Sequence, residues 1–400
     1  MKYDFIIIGS GIIGLTLAYK LKQKFNNSKI LILEKEINSI SHGSGRNSGV
    51  LHSGIYYEPG TLRAKLCVQG VRELKQYIKS KNLWINECGK ILLPTSEYSY
   101  SNLENLYDRA QKNGVEIKKI SQDEINKIEP NANCLFDKGL FVPFTSVADP
   151  KEVSQSLIQD LKNMNVDIQY NEEVISFKNG SINTKNNNYH ADHVFNCAGL
   201  QADKIAKNSG LNFRYSFLPF KGKYWKIKNT NFKLNHLIYP IPDLRFPFLG
   251  LHSSHNKNDD FYIGPSSTPV FGREEYQGLF GKNILESLNI GVNFLKKIIL
   301  NENKLRTLAF QELSLLTKKG FYNQVNKMFK NLEVNDLEIS NTKVGIRSQI
   351  FDPKNKSLVN DFVIINENKT THVLNAISPA WSASFAFADH LIKEAQLDNA

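Results

Sequence analysis

The chain has 400 residues, of which 41% are hydrophobic and 22% charged, so it is long enough for two domains with their own cores. Its formal net charge is +11, but the lysines are spread along the chain and form no basic block, so we expect no nucleic-acid partner. The four cysteines form no C-x-x-C pair and lie near no histidine at metal-ligand spacing, which favours a reduced, cytoplasmic protein without a bound metal.

The first strand, helix and second strand carry a dinucleotide fingerprint. Phe5 to Ile8 is a continuous apolar run typical of a buried parallel strand, and three glycines follow it at G-x-G-x-x-G spacing. The glycines permit a tight turn and close helix packing, and the helix N-terminus offers N–H groups to a pyrophosphate. An acidic residue ends the second strand, where it would accept hydrogen bonds from a ribose. FAD and NAD both fit this unit. The cofactor-binding residues predicted here are Gly9, Gly11, Ile12, Gly14, Glu34 and Lys35.

A loop rich in Gly, Ser and Asn follows the second strand, and it contains one arginine. Such a loop would place backbone N–H groups and a guanidinium beside phosphates. His52, Tyr56 and Tyr57 come directly after it, close to the same predicted site. The cofactor-binding residues predicted in the loop are Ser44, Arg46, Asn47, Ser48 and Gly49.

The middle of the chain alternates helices and strands. Residues 62–82 have the apolar spacing of an amphipathic helix, residues 144–149 are predicted as a connector, and a helix is predicted from Pro150 to Asn163. A later apolar strand, His193 to Gly199, has the character of a strand that returns to the dinucleotide sheet. We therefore predict that the cofactor domain is discontinuous in sequence. Val174, Ala198 and Gly199 are its predicted cofactor contacts.

From Phe213 onward the composition shifts toward aromatic residues and proline. The predicted strands Phe220–Ile227, Leu237–Ile241, Phe248–His252 and Asp260–Ile263 indicate a mostly antiparallel sheet that covers the substrate. Residues 276–332 are mainly helical, and their interleaved Phe, Leu and Lys indicate either core-facing helices or a basic amphipathic surface that touches a membrane. Ser378, Pro379 and Ala380 form a turn into the last helix, whose N-terminus would lie beside the cofactor.

These elements predict an α/β fold. A discontinuous Rossmann-like domain, residues 1–83, 150–212 and 340–400, would bind the cofactor. A second α+β domain on a mostly antiparallel sheet, residues 84–149 and 213–339 with a helical insertion at 276–332, would bind the substrate. No run of about eighteen apolar residues indicates a membrane-spanning helix. We expect a cytoplasmic protein, with peripheral contact to the inner face of the cell membrane as an open alternative.

Motifs along nearly the whole chain resemble the FAD-dependent L-2-hydroxyglutarate dehydrogenases and oxidases, a branch of the D-amino-acid-oxidase-like flavoproteins. The motifs that carry this resemblance span residues 47–57, 64–70, 88–91, 196–200, 219–222, 238–243, 245–252, 345–349 and 358–362. The resemblance implies FAD and oxidation of a 2-hydroxy dicarboxylate to the 2-oxo acid, with L-2-hydroxyglutarate as the first candidate. The last two hundred residues contain no cysteine whose thiol could attach the flavin, so we expect noncovalent FAD. It also implies that electrons pass to oxygen or to a membrane quinone chain.

The resemblance also implies where the chemistry occurs. A histidine would remove the substrate hydroxyl proton, and His52 and His252 are equal candidates. Arginine and lysine side chains would bind the two carboxylates, and Arg347 would alternatively neutralise the reduced flavin. The predicted catalytic residues are His52, His252, Arg245, Arg347, Lys221, Tyr57 and Tyr239, with Tyr56 as a further hydroxyl donor.

Some features depart from the family pattern and leave other functions open. Trp381 stands in the C-terminal turn where the family has a small residue. An oxidase of an amino acid, glycerol phosphate or sugar acid is the first alternative. A flavin-bearing protein without catalysis, which serves as a binding partner, is the second.

Overall fold

The computed structural model describes residues 2–243 and 248–397. The strands in these ranges are β1 (Lys2–Ile8), β2 (Ile30–Leu33), β3 (Val50–Leu51), β4 (Ile85–Asn86), β5 (Lys90–Leu93), β6 (Lys118–Ser121), β7 (Lys138–Val142), β8 (Ser146–Ala148), β9 (Asp167–Gln169), β10 (Val174–Lys178), β11 (Ser181–Thr184), β12 (Asn188–Asn196), β13 (Ser216–Phe217), β14 (Phe220–Ile227), β15 (Leu237–Pro240), β16 (His252–His255), β17 (Phe261–Gly264), β18 (Thr268–Pro269), β19 (Leu337–Arg347), β20 (Ile350–Asp352), β21 (Ser357–Leu358), β22 (Ile364–Glu367) and β23 (Thr370–Val373).

The α-helices of the same ranges begin where capping signals stand. Asp149 caps α6 by accepting from the backbone N–H of Lys151, and Ser121 and Glu124 form a reciprocal capping box on α5. The helices are α1 (Ile12–Lys24), α2 (Leu62–Ser80), α3 (Glu97–Ser101), α4 (Leu103–Lys112), α5 (Gln122–Ile128), α6 (Pro150–Asn163), α7 (Ala202–Asn208), α8 (Ile284–Ile299), α9 (Leu305–Ser314), α10 (Lys318–Val325) and α11 (Ala380–Glu394).

A largely parallel sheet organises the nucleotide-binding part. β1 pairs in parallel with β12 and β2, β2 pairs with β9, and β12 pairs with β23. The hairpin of β10 and β11 extends the sheet, and β22 pairs antiparallel with β23. The strands come from three separated stretches of the chain, as the returning strand predicted. The exact domain boundaries remain a prediction.

The helices α1, α2, α6 and α11 bury their apolar faces against this sheet. α11 packs against both α1 and α2, and α6 packs on α1. The core between them contains apolar side chains from every one of these elements, including Leu17, Leu74, Leu157 and Phe387. This layer fixes the C-terminal ends of β1 and β12 beside the N-terminus of α11.

Antiparallel sheets form the second part of the molecule. β14 is paired antiparallel with β17, β18 and β19, and β16 extends that sheet through β17. A smaller sheet of β15, β5, β7 and β6 and another of β3, β8 and β4 lie beside it. The predicted fold class is therefore confirmed, although the antiparallel strands are divided among several sheets.

Two local predictions are wrong. Residues 144–149 were predicted as a connector, but Ser146–Ala148 form β8, which pairs with both β3 and β4. Residues 248–252 were predicted as a strand, but β16 begins only at His252. The Gly250 carbonyl accepts a hydrogen bond from the His252 ring and does not pair with a neighbouring strand in the described part of the chain. Within residues 2–243 and 248–397, no helix combines the length and apolar character that a bilayer crossing requires.

Candidate active site

A cavity of about 1180 Å³ extends from the turn after β1 to the ends of β14 and β19. Its wall includes the loop of residues 40–48, the end of β12, and the first turn of α11. Twenty of the predicted site residues line it: Gly9, Gly11, Ile12, Glu34, Lys35, Ser44, Arg46, Asn47, Ser48, His52, Tyr56, Tyr57, Val174, Ala198, Gly199, His252, Arg347, Ser378, Pro379 and Ala380.

The fingerprint glycines bring backbone very close to backbone at one end of the cavity. Gly9 has φ +100°, and a Cβ atom there would lie 2.8 Å from the Cys197 carbonyl oxygen. A Cβ on Gly14 would lie 2.0 Å from the Gly9 carbonyl oxygen, so Gly14 packs the helix against the turn and does not line the cavity. The N-terminus of α1 consequently lies at the cavity wall, and the Ile12 N–H there donates to Ser44 Oγ at 2.9 Å.

Glu34 lies where a ribose acceptor was predicted, although its carboxylate already holds the surrounding loop. One oxygen accepts from the backbone N–H and the hydroxyl of Ser10 at 2.8 and 2.7 Å, and the other accepts from the Glu36 N–H at 3.0 Å. Lys35 also lines the cavity, but its ammonium pairs with Glu36 and, at 2.8 Å, with Glu274. Glu34 is therefore fixed in position with acceptor capacity remaining, whereas Lys35 is neutralised.

The Gly- and Ser-rich loop is held by its arginine. The Arg46 Nε donates to the Ser41 carbonyl at 2.8 Å, and its guanidinium stacks on Tyr276 with 3.8 Å between Cζ and the ring centroid. Ser44, Asn47 and Ser48 then face the cavity with the loop. Gly49 does not line the cavity, contrary to the prediction, because it backs onto the carbonyl of Ala148.

The two candidate histidines lie together at the other end of the cavity. The His252 Nδ1–H donates to the Gly250 carbonyl at 2.8 Å, so Nε2 carries the lone pair of the neutral ring. Burial lowers the pKa of His252 to about 3. Burial also lowers the pKa of His52 well below its ordinary value, with smaller contributions from Lys90, His252 and Arg63, and its Nδ1 has no protein partner among the described residues.

A buried lysine that the sequence analysis missed lies close enough to the histidines for its charge to lower the pKa of both. Lys90 is fully buried, and its Nζ lies 4.6 Å from the centroid of Tyr56 and 4.9 Å from that of Tyr239. Burial lowers its pKa to about 7. Tyr239 was predicted to contact the substrate, but its side chain does not line the cavity. Its ring instead supports His252 from behind, with 4.0 Å between centroids.

Two guanidinium groups line the cavity near the histidines. Arg347 donates to the Ser266 carbonyl at 3.1 Å, and Arg63, which was not predicted, donates to the carbonyls of Asn360 and Ser378. Arg63 stands in the first turn of α2, where a cation opposes the helix dipole, and that unfavourable position is the signal that could have identified it.

One predicted carboxylate ligand is wrong and another lies outside the described residues. Lys221 points away from the cavity and donates to the carbonyls of Glu275 and Gly278, while its neighbours Gly222 and Tyr224 face the cavity. Side chains alternate along a strand, so Lys221 cannot share their face. Arg245 falls within residues 244–247 and is not described.

The cavity walls fit a flavin dinucleotide. The N-terminus of α11 meets the cavity without a side-chain cap, and the buried Trp381 Nε1–H in its first turn has no protein partner among the described residues. Cys197 is the cysteine at the cavity wall, and burial raises the pKa of its thiol to about 12, which makes thiolate attachment of a flavin unfavourable. Noncovalent binding remains our prediction.

Comparisons with known proteins agree with these features. A family model described as FAD dependent oxidoreductase matches residues 4–393. The chain is 33% identical over 402 residues to an L-2-hydroxyglutarate dehydrogenase of Escherichia coli, covering 98% of this chain and 93% of that protein. It is 32% identical over 424 residues to the mitochondrial L-2-hydroxyglutarate dehydrogenase of Homo sapiens, covering 99% and 89%.

Solved structures share the fold at lower identity. The L-alpha-glycerophosphate oxidase of Mycoplasma pneumoniae, reduced with dithionite and with FAD bound, superposes with a TM-score of 0.78 at 21% identity, covering 99% of this chain and 95% of that chain. Glycine oxidase from Geobacillus kaustophilus superposes with a TM-score of 0.72 at 14% identity, with the same coverage. The cofactor and the resemblance predicted from the sequence are confirmed, and the chain belongs to the FAD dependent oxidoreductases, in the branch of the L-2-hydroxyglutarate dehydrogenases.

Proposed function

We propose that the protein oxidises L-2-hydroxyglutarate to 2-oxoglutarate. Relatives with this name match nearly the whole chain at 31–33% identity. The observation in the structure that carries the proposal is a neutral, oriented imidazole beside two guanidinium groups in one cavity. This combination suits an acid with two carboxylates and a hydroxyl whose proton must be removed.

His252 acts as the base in this proposal. The Gly250 carbonyl holds the proton on Nδ1, so Nε2 is the atom that takes the hydroxyl proton. FAD, when bound, accepts the hydride that leaves the hydroxyl-bearing carbon. A bound substrate brings negative charge to the cavity and thereby raises the low pKa of His252 toward the range of an effective base. His52 packs against Tyr239, the residue on which His252 stacks, and it forms part of the cavity wall.

Arg63 and Arg347 bind the two carboxylates. Both line the same cavity, and a guanidinium can hold a carboxylate through two parallel hydrogen bonds. Carbonyl oxygens already orient both side chains, which lowers the entropy cost of binding. Electrons then pass to oxygen or to a membrane quinone chain, and peripheral contact with a membrane would bring the second acceptor within reach.

Anaerobic mixing of the flavin-loaded protein with candidate substrates tests the proposal. L-2-hydroxyglutarate should bleach the flavin absorbance and form one 2-oxoglutarate per flavin, whereas the D isomer should not. Bleaching by an amino acid, glycerol phosphate or sugar acid in place of L-2-hydroxyglutarate would assign a different oxidase. A yellow protein that none of these compounds bleaches would favour a binding partner without catalysis.

A further inference from the structure

The outer faces of α8 and α9, with the segment before α8, carry most of the exposed large hydrophobic side chains in the described ranges. Elsewhere such side chains occur singly, at Ile37, Leu135, Ile175 and Ile339. Large exposed apolar patches mark interaction sites, because a monomer usually exposes no more than a few hundred Å² in one patch. The members of this outer face are Leu279, Phe280, Ile284, Leu285, Leu288, Val292, Leu295, Ile299, Leu300, Phe310, Leu313 and Leu316, each between 46% and 80% exposed.

The outer face is separate from the side of the helices that builds the core. Ile290 and Phe294 of α8 and Leu308 of α9 are buried with Phe220 of β14. The exposed apolar positions of α8 recur at intervals of three and four residues on the opposite side, so both sides of this helix are apolar. Packing in the core explains the apolar residues on the inner side of α8, but it does not explain those on the outer side.

All the exposed charges of this segment have one sign. The acidic side chains of the segment are paired or buried. Glu286 accepts from Arg273 Nε at 2.6 Å, Glu302 lies 3.9 Å from Lys297, and Glu312 is buried. The exposed charged side chains between residues 277 and 319 are Lys282, Lys296, Lys304, Arg306 and Lys319.

We propose that the outer face docks on a bilayer surface that contains anionic phospholipids. Its apolar side chains would enter the boundary between headgroups and acyl chains, and its lysines would contact the headgroup phosphates. A second copy of this chain across a two-fold axis would instead oppose cations to cations. This inference specifies the partner and the surface of the peripheral contact proposed above, and it does not depend on the identity of the substrate.

Docking through this face would place the membrane near the active-site cavity. Phe294 of α8 packs on Phe220, which pairs in register with Arg347 across β14 and β19. Thr268 of β18 donates to Glu312 of α9 at 3.1 Å. The helices that meet the lipid therefore pack directly on the strands that form the cavity wall.

Sedimentation of the FAD-loaded protein with vesicles tests the inference. The protein should bind vesicles of phosphatidylcholine with phosphatidylglycerol, and bind pure phosphatidylcholine vesicles much less. Leu285→Glu with Leu288→Glu should weaken binding at least about tenfold, and Lys282→Glu with Lys296→Glu by about fivefold per lysine. The matched controls Leu135→Glu and Lys151→Glu, which lie outside the face, should bind as the parent does.

Two results would overturn the inference. The first is equal sedimentation of the parent and the face variants. The second is a dimer of the parent in light scattering that the same variants split, which would assign the face to a second copy. Flavin reduction by L-2-hydroxyglutarate should be equal in parent and variants, so loss of vesicle binding is distinguishable from loss of the proposed activity.

Discussion

The imidazole of His252 stacks on the ring of Tyr239, with 4.0 Å between centroids and 15° between planes. Tyr239 is fully buried, and its hydroxyl has no protein partner among the described residues. Stacking on the Tyr239 ring thus keeps the His252 imidazole in one orientation, whereas the Tyr239 hydroxyl makes no hydrogen bond to the described residues. The two functions of this side chain can be separated by substitution.

Tyr239→Phe should keep the aromatic ring that stacks on His252 and remove a buried hydroxyl that has no protein partner among the described residues. We expect unchanged flavin reduction and a free energy of unfolding that rises by about 1 kcal/mol. Tyr239→Leu should remove this ring, lower the rate of flavin reduction on the order of 10- to 100-fold, and cost about 1–3 kcal/mol of stability. Stopped-flow absorbance and urea unfolding measure the two effects. Equal reduction rates in the Phe and Leu variants would show that stacking does not orient His252.

Lys90→Met should reduce the rise in stability that the parent shows above neutrality, where Lys221 and Lys343, with pKa values lowered to about 8, also contribute. Burial lowers the pKa of Lys90 to about 7, below the ordinary lysine value of about 10.4. At this lysine the unfolded chain therefore binds more protons between these values, and Lys90 should contribute about 2 kcal/mol to the gain in stability of the parent between pH 7 and 9. The Met variant should lack this contribution, so its gain over the interval should be smaller than that of the parent by about 2 kcal/mol. Urea unfolding at both pH values provides the measurement, and an equal gain in the variant would contradict the lowered pKa of Lys90.

Arg63→Lys and Arg347→Lys should each lower kcat/KM for L-2-hydroxyglutarate about 10- to 100-fold, because each removes a charged bidentate hydrogen bond. With L-2-hydroxybutyrate, which lacks the second carboxylate, one of the two substitutions should have little effect. Lys221→Met is the control, since its ammonium faces away from the cavity, and kcat/KM should not change. Full activity of both arginine variants on the diacid would refute their role.

Acid should destabilise the protein through its buried histidines. Burial lowers the pKa of His193, His255 and His372 to about 4 and that of His252 to about 3. The unfolded chain then binds more protons below its ordinary histidine pKa of about 6.5, so stability falls as the pH falls from 7 to 5. Each group contributes about 2 kcal/mol over this interval. Thermal unfolding of the FAD-loaded protein should show a marked fall in Tm, and a constant Tm would contradict these pKa values.

Regular elements with local signals could be predicted from the sequence to the residue. Helix α6 has the predicted bounds because Asp149 caps it and Pro150 occupies its first position, and β14 has the predicted bounds too. β8 could not be predicted, since its short, polar sequence becomes a strand only by pairing on both sides.

Most residues predicted to bind the cofactor line the cavity, whereas fewer of the residues predicted to bind or act on the substrate do so. The cofactor end depends on local signals, such as the glycine turn and the Gly- and Ser-rich loop after it, whereas the substrate end depends on tertiary contacts. In the sequence, Lys90 is one polar residue beside an apolar run, and Arg63 is one of several polar residues in a predicted amphipathic helix, so neither position indicates the cavity. Lys221 was assigned from its motif without regard to the alternation that turns it away from Gly222.

The most direct test of the account is stopped-flow reduction of the bound flavin by L-2-hydroxyglutarate in the parent, His252→Gln and His52→Gln. We predict rapid reduction in the parent, a loss of about 10²- to 10⁴-fold in His252→Gln, and a smaller loss in His52→Gln. Reduction of His252→Gln at the parental rate would contradict the assignment of the base.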